Sequence, residues 1–251
     1  MIYVRPLVQI GAARPGDALS LAGGACWFTH VELLSRDAPP RVCAAREAPD
    51  AALARLTRPR ADWAGLSMDR PRLMGILNLT PDSFSDGGLL TEGAAALARA
   101  TAMAAEVDIL DVGGESTRPG AAPVPGDEEV RRTVPLIAAL RCAGLRGPVS
   151  IDTRKALVAR AALDAGATII NDVSGLTHDP AMVALVAGSR PPVVIMHALG
   201  TPSTMQDDPR YDDVLLDVYD ALADLAGRAV AAGIDPARIA IDPGIGFGKT
   251  P

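Results

Sequence analysis

The stretch LMGILNLTPDSFSDGGL, Leu73 to Leu89, decides how the rest of the chain is read. It opens with an apolar run, Leu73 to Leu77, that has the length and composition of a buried strand. At Asn78 it breaks into a polar loop with Thr80, Pro81, Asp82, Ser83, Ser85 and Asp86, one aromatic ring at Phe84, and a closing Gly87-Gly88. An amide, several hydroxyls and two carboxylates therefore follow directly on the carboxyl end of a strand. Alone, the string reads as a hairpin or a βα loop ended by Asp-Gly. The chain beyond it decides between the two.

From Leu73 onward, short apolar runs alternate with alanine-rich helical stretches. The strand candidates are Leu73–Leu77, Ile109–Val112, Val149–Ile151, Thr168–Ile170, Val193–Met196 and Ile239–Ile241. Between them lie helical stretches at about Thr91–Glu106, Asp127–Cys142, Arg154–Ala165, Pro180–Ala187 and Asp212–Ala232. Strands separated by helices imply a parallel sheet with crossover helices. Each strand runs into a polar residue: Asn78, Glu115, Asp152, Asn171, His197 and Asp242. Polar groups after every strand, rather than at one switch point, favour a (β/α)8 barrel of the TIM type over a doubly wound open sheet. At roughly 30 residues per unit the chain holds about six of the eight units, and two more would need on the order of 60 residues. The expectation is an incomplete barrel domain over 68–251, with unpaired edges at its first and sixth strands that favour association or misfolding.

Residues 1–67 read as an N-terminal extension. Ile2–Ile10 and Ala25–Leu34 are β-leaning, Pro39-Pro40 breaks the chain, Ala51–Leu56 suits a short helix, and Arg58–Arg72 connects to the barrel. No chemistry is visible in it.

Composition bounds the function. With 251 residues, 49% hydrophobic and 22% charged, the chain can bury a sizeable core. A net charge of -6 argues against nucleic-acid binding, which leans on a positive surface. Cys26, Cys43 and Cys142 are scattered and odd in number, which fits a reducing compartment such as the cytoplasm. The histidines His30, His178 and His197 lack metal-ligand spacing. No apolar run approaches a membrane span. Ala18–Phe28 is apolar, but its glycines and the want of a compact basic leader argue against a signal peptide.

A second string, DVGGESTRPG from Asp111 to Gly120, follows the first. The two, in this order, resemble the signatures of dihydropteroate synthases. Asp152, Asn171, Met196-His197 and Asp242 agree with the same family, and the resemblance covers about Leu73 to Pro251. It implies condensation of 7,8-dihydropterin-6-methyl diphosphate with p-aminobenzoate in folate biosynthesis, with Mg²⁺ as cofactor, sulfonamides as inhibitors and a homodimer as the usual assembly. It assigns Asn78 to the magnesium pyrophosphate, and Phe84 and Asp86 to a loop over the amine. Thr117, Arg118 and Pro119 go to the p-aminobenzoate site, with Asp111 and Glu115 as supports. Asp152, Asn171 and Asp242 would hold the pterin, Met196 would floor that pocket, and Phe247 would shape the amine site. Asp86, Asp152 and Asp242 are the expected catalytic carboxylates.

Each assignment has a plainer counterpart. Asn78 can simply turn the chain, Phe84 can anchor a core, and Arg118 can pair with a surface acid. The carboxylates can be structural ion pairs, and Met196 and His197 can be core residues. The run Gly244 to Thr250 is one residue short of a phosphate-binding loop. Two features depart from the family. Ala198-Leu199-Gly200 stands where a Gln-Gly is common, and no residue matches the family's seventh-strand lysine and serine or eighth-strand arginine and histidine. Lys249 lies in another motif. The alternatives are a pterin-binding fragment without catalysis and a methyltetrahydrofolate methyltransferase-like barrel. The Asn78–Phe84 loop speaks against the latter.

Overall fold

The computed structural model describes residues 1–79, 89–116, 121–200 and 209–249, the side chains of 89–92 excepted. The chain divides into two compact units, Met1–Pro71 and Arg72–Pro251. The boundary lies a few residues beyond the break expected after residue 67.

In the first unit, β1 (Tyr3–Pro6), β4 (His30–Leu34) and β5 (Arg41–Ala44) form an antiparallel sheet in the order β1-β4-β5. The strands β2 (Leu19–Ser20) and β3 (Trp27–Phe28) pair separately. Phe28, Val31, Cys43, Ala45 and Ala48 form its core, with Leu53 and Leu56 of α1 (Asp50–Thr57) packed against them. The sequence reading contains no counterpart to β5. Four residues directly after Pro39-Pro40, starting with an exposed Arg41 and Val42, offer no apolar run to detect.

The second unit is the one that positions the site. Its strands are β6 (Met74–Asn78), β7 (Ile109–Gly113), β8 (Val149–Asp152), β9 (Ile169–Asp172), β10 (Val193–Met196) and β11 (Ile239–Asp242). They form one six-stranded sheet in simple sequential order, with all pairings parallel. Between them run α2 (Leu89–Ala104), α3 (Gly126–Cys142), α4 (Ala156–Asp164), α5 (Pro180–Ser189) and α6 (Val214–Ala231). The sequential order is that of a TIM-type barrel wall and lacks the reversal that defines a doubly wound sheet. Among the described residues the sheet is open, with β6 and β11 at its edges. Ile76 and Ile241 on those edges are 60% and 58% exposed.

Strand residues alternate between faces. Leu77, Leu110, Val112, Val149, Ile151, Ile170, Val193 and Ile195 form the buried core with Ala96, Ala100, Ile137, Leu140, Val158, Ala162, Met182 and Leu185 of the helices. The intervening positions point to the opposite, inner face. They are Asp111, Gly113, Ser150, Asp152, Asn171, Val194 and Met196, so that face is polar toward its carboxyl end. The starts of α4, α5 and α6 are held by aspartate side chains. Asp213 accepts from the N–H groups of Leu215 and Leu216 at 3.0 and 3.1 Å. Asp179 caps α5 through Ala181 at 2.9 Å and also accepts from the first N–H of α4, Ala156, at 2.8 Å.

Candidate active site

The parallel register places four residues in one row across the strand ends. Asn78 pairs with Gly113, Gly113 with Asp152, and Asp152 with Asn171. Partners in such a row share a face, so Asn78, Asp152 and Asn171 converge on the inner side. Gly113 makes this convergence possible. A methyl group there would lie 2.8 Å from the Asn78 Oδ1 and 3.5 Å from the Asp152 Oδ2. Met196 and Asp242 pair with one another two residues further up β10 and β11.

Below the row lies Asp111, almost fully buried. The Asn171 Nδ2 donates to its Oδ2 at 3.0 Å, across the intervening strand β8. Contact between alternate strands is how a barrel interior is layered. This bond orients the amide of Asn171, leaving its oxygen to accept from a ligand. Asp111 is thus a direct support of a row residue, and the resemblance had assigned it no more than a supporting place.

The electrostatics of the row are unusual. Asp152 is buried, and its Oδ1 has no hydrogen-bond partner among the described residues, as is also true of the Asp111 Oδ1. Burial, reinforced by repulsion from Asp111, Glu129, Asp172 and Glu115, holds the Asp152 carboxyl well above its ordinary value. Burial likewise raises Asp111, with the hydrogen bond from Asn171 among those offsetting part of the effect. Two neighbouring acids, desolvated and with no cation in contact among the described residues, favour a cationic or N–H-rich guest.

The remaining expected residues are placed as follows. Asp242 is half-buried and its Oδ1 accepts from the Gly244 N–H at 2.7 Å, shaping the turn after β11. Phe247 sits in that turn, half-buried, with its N–H on the Gly244 carbonyl at 2.9 Å. Met196 is buried on the inner face. His197 is buried, its Nδ1 has no partner among the described residues, and burial together with Lys249 lowers its pKa. Lys249 donates to the carbonyls of Gly244, Phe247 and His197 at 2.9, 3.0 and 3.3 Å. It therefore ties the β11 turn to the end of β10. Phe84, Asp86, Thr117, Arg118 and Pro119 lie outside the described residues.

The partners of Glu115 went unnoticed in the sequence. Glu115, just beyond β7, contacts Arg154 and Lys155, just beyond β8, and Lys155 also reaches Glu129 in α3. Burial would raise Glu115, yet hydrogen bonds from Lys155, the Val124 N–H and Arg154 outweigh it and hold the carboxyl below its ordinary value.

A sequential parallel βα sheet with buried acids at the carboxyl ends of its strands defines an α/β fold of the TIM-barrel type. The model of the family described as pterin binding enzyme matches residues 74–251. The chain belongs to that family, among its dihydropteroate synthases. The dihydropteroate synthase of Escherichia coli K12 is 43% identical over 190 residues, covering 75% of this chain and 67% of the relative. A probable bifunctional folylpolyglutamate synthase/dihydropteroate synthase of Haloferax volcanii is 52% identical over 183 residues, 72% of this chain and 22% of its own length. Among solved structures, the Xanthomonas albilineans dihydropteroate synthase with 4-aminobenzoic acid superposes with a TM-score of 0.67 at 51% identity, covering 74% of this chain and 67% of that one. The chain thus spans about two thirds of the single-function relatives and under a quarter of the bifunctional one.

Proposed function

We propose that this chain carries the pterin site of a dihydropteroate synthase and joins 7,8-dihydropterin-6-methyl diphosphate to p-aminobenzoate. The observation that carries the reading is the row Asn78, Gly113, Asp152 and Asn171 with Asp111 beneath it. An amino-substituted pterin ring offers N–H groups to acceptors of this kind. The relative that holds 4-aminobenzoic acid supports the second substrate.

In the reaction the bond from the pterin methylene carbon to the diphosphate oxygen breaks, and pyrophosphate leaves with the electron pair. The amine nitrogen forms the new bond to that carbon and gives up a proton. Positive charge builds on the pterin as the leaving group departs. Asp152 suits that moment, because a buried carboxylate with no cation gains most when a cation appears beside it. Its cost before reaction and its value during reaction come from the same burial. Asn171, held by Asp111, and Asp242 would orient the ring, while Met196 supplies an apolar surface.

Mg²⁺ fits the residues present. The Asn78 Oδ1 and Asp152 Oδ2 are hard oxygen donors around the space at Gly113. Among the described residues no group of three or more His, Cys, Asp or Glu gathers to hold a metal by itself. Mg²⁺ characteristically keeps waters and substrate phosphates and takes few protein ligands. Asn78 would hold the ion, which when bound neutralises the leaving diphosphate. Phe84 and Asp86 over the amine, Thr117, Arg118 and Pro119 at p-aminobenzoate, and Phe247 at the edge of the amine site complete the reading. Sulfonamides would then compete with p-aminobenzoate. Among the described residues no helix is long and apolar enough to cross a membrane. A cytoplasmic location and a homodimer belong to the same proposal, and three free thiols suit a reducing compartment.

The test is dihydropteroate formation by the purified chain with both substrates and Mg²⁺. Product that disappears in Asp152→Ala supports the reading. A chain that binds the dihydropterin diphosphate but makes no product is a pterin-binding fragment. One that binds neither substrate overturns the proposal.

A further inference from the structure

We infer that Lys249 is a positioning residue whose ammonium fills a cage of three backbone carbonyls, and that this tethered cation sets Asp242 and Met196 on the inner face of the sheet. What that face binds rests on the dihydropteroate synthase reading; the cage rests on the geometry alone.

An ammonium has three N–H donors, and three carbonyl oxygens receive those of Lys249. Gly244 and Phe247, at 2.9 and 3.0 Å, belong to the turn that follows β11. His197, at 3.3 Å, stands directly after β10. Carbonyl oxygens gathered around one point repel one another, and a cation at their centre turns that repulsion into attraction, as in the carbonyl rings of ion filters. Here the stem of Lys249 delivers the cation from within the turn itself. Burial disfavours its charge, and the Asp242 carboxylate works in the opposite direction. With its three donors committed to backbone, Lys249 acts through what it holds.

The cage reaches the inner face through Gly244. A methyl group on this residue would stand 2.1 Å from the His197 carbonyl oxygen and 3.1 Å from the Met196 Cγ. Its φ of 63° lies in the left-handed region, so the close approach and the backbone both call for glycine. The Gly244 N–H donates to the Asp242 Oδ1 at 2.7 Å and orients that carboxylate. Gly244 therefore meets both Met196 and Asp242, which are register partners on β10 and β11. Lys249 grips the same residue by its carbonyl. Without the ammonium, the carbonyls of His197 and Gly244 lose the donor between them. The turn is then free to lift from β10, and the Gly244 N–H moves away from Asp242.

A second tie separates this role from simple anchoring. The Tyr211 hydroxyl donates to the Gly248 carbonyl at 2.7 Å and holds the far side of the turn. Emptying the cage leaves that tie in place, so the loss falls on Gly244 and the two inner-face residues it touches.

The experiment compares Lys249→Ala and Lys249→Gln with the parent in the full chain. The readouts are hydrogen exchange of peptides covering 242–249, with 126–142 as reference, and dihydropterin diphosphate affinity by calorimetry. In Lys249→Ala, exchange over 242–249 accelerates about tenfold while the reference is unchanged. Pterin affinity falls on the order of tenfold, the scale of a small misplacement of binding groups. Methylammonium, which brings three N–H donors to the emptied cage, restores both values. Tetramethylammonium at equal ionic strength has no N–H and restores neither. Lys249→Gln keeps N–H donors without the charge and shows the same losses in weaker form, which decides the matter where Lys249→Ala fails to fold. Unchanged exchange or unchanged pterin affinity in a folded Lys249→Ala overturns the inference. So does a rescue that tetramethylammonium gives equally, or that methylammonium does not give. Should the parent chain bind no pterin, the functional reading fails on its own, and exchange with its methylammonium rescue still decides the cage.

Discussion

Two sets of buried acids stand side by side at the same end of the sheet. Among the described residues Asp111 and Asp152 have no cation in contact, and burial drives both carboxyls upward. Glu115 and Glu129 share Lys155, and Arg154 adds to Glu115. Glu115 is held down despite its burial. Both sets are desolvated, so the difference lies in whether the protein provides the counter-charge. Where it does, the acids act as mortar between β7, α3 and α4. Where it does not, a guest would have to provide it, which is the ground on which Asp152 is proposed as a substrate-binding residue.

The sharpest way to break this contrast is to remove the counter-charge. Lys155→Met strands Glu129, leaves Glu115 with Arg154 alone, and is expected to cost about 3 kcal/mol of stability, the lower part of the range for breaking a buried pair, since Lys155 keeps some solvent contact. Urea unfolding of the variant measures it, and an unchanged midpoint would erase the distinction between the sets. Asp152→Asn should do the reverse. Pterin affinity falls roughly ten- to a hundredfold, from lost bonds worth about 1.5–3 kcal/mol, while the melting temperature holds or rises. A lower melting temperature with intact affinity would make Asp152 a structural residue.

Acid titration sharpens the contrast further. A carboxyl whose folded pKa is raised contributes stability that is fully present below its unfolded value, near 3.8 for Asp152, and is lost as pH rises through the folded value. Glu115 is opposite: its contribution is present above about 4.5 and disappears as pH falls through its depressed folded value. Urea unfolding from about pH 2.5, well below the Glu115 reference value, to about pH 8 should show Asp152→Asn gaining on the parent as pH rises. Glu115→Gln should trail the parent most at neutral pH and recover toward acid. The smallest expected effect is at Gly113→Ala. The added methyl, 2.8 Å from the Asn78 Oδ1, turns the amide aside. The Mg²⁺ concentration for half-maximal product formation should rise about fivefold, the worth of one hydrogen bond of about 1 kcal/mol.

Much of the barrel wall was legible because its strands are apolar runs closed by a polar residue. Leu73–Leu77 became Met74–Asn78, and Thr168–Ile170 became Ile169–Asp172, displacements of one or two residues at the ends. Asn78, Asp152 and Asn171 were legible for the same reason, since each follows its run directly. Contacts between distant positions were not. Asn171 meets Asp111 across 60 residues, and Lys155 meets Glu115 across 40. Glu129 stands in an acidic first turn with Asp127 and Glu128, a pattern that ordinarily means solvated charges favouring a helix start. Only the flush approach of Gly114 reveals that one of the three is buried. Arg154 and Lys155, at the opening of an alanine-rich helix, read as surface charges until the strand order brings β7 beside β8.

The double cap at Asp179 bears on how the chain acquires this form. Its carboxylate serves Ala181, next to it in sequence, and Ala156, 23 residues earlier. The first of these bonds can form as soon as α5 nucleates. The second requires β9 to be laid down and the crossover closed, so α4 receives its cap only after the chain has run on past it. The two helices are therefore coupled through one side chain, and α4 waits on its successor. In a parallel sheet, where each strand pair forms across a long crossover and folding is slow for that reason, such a dependence gives the assembly a direction. Here the unit that ends in α4 is finished by the one that follows it.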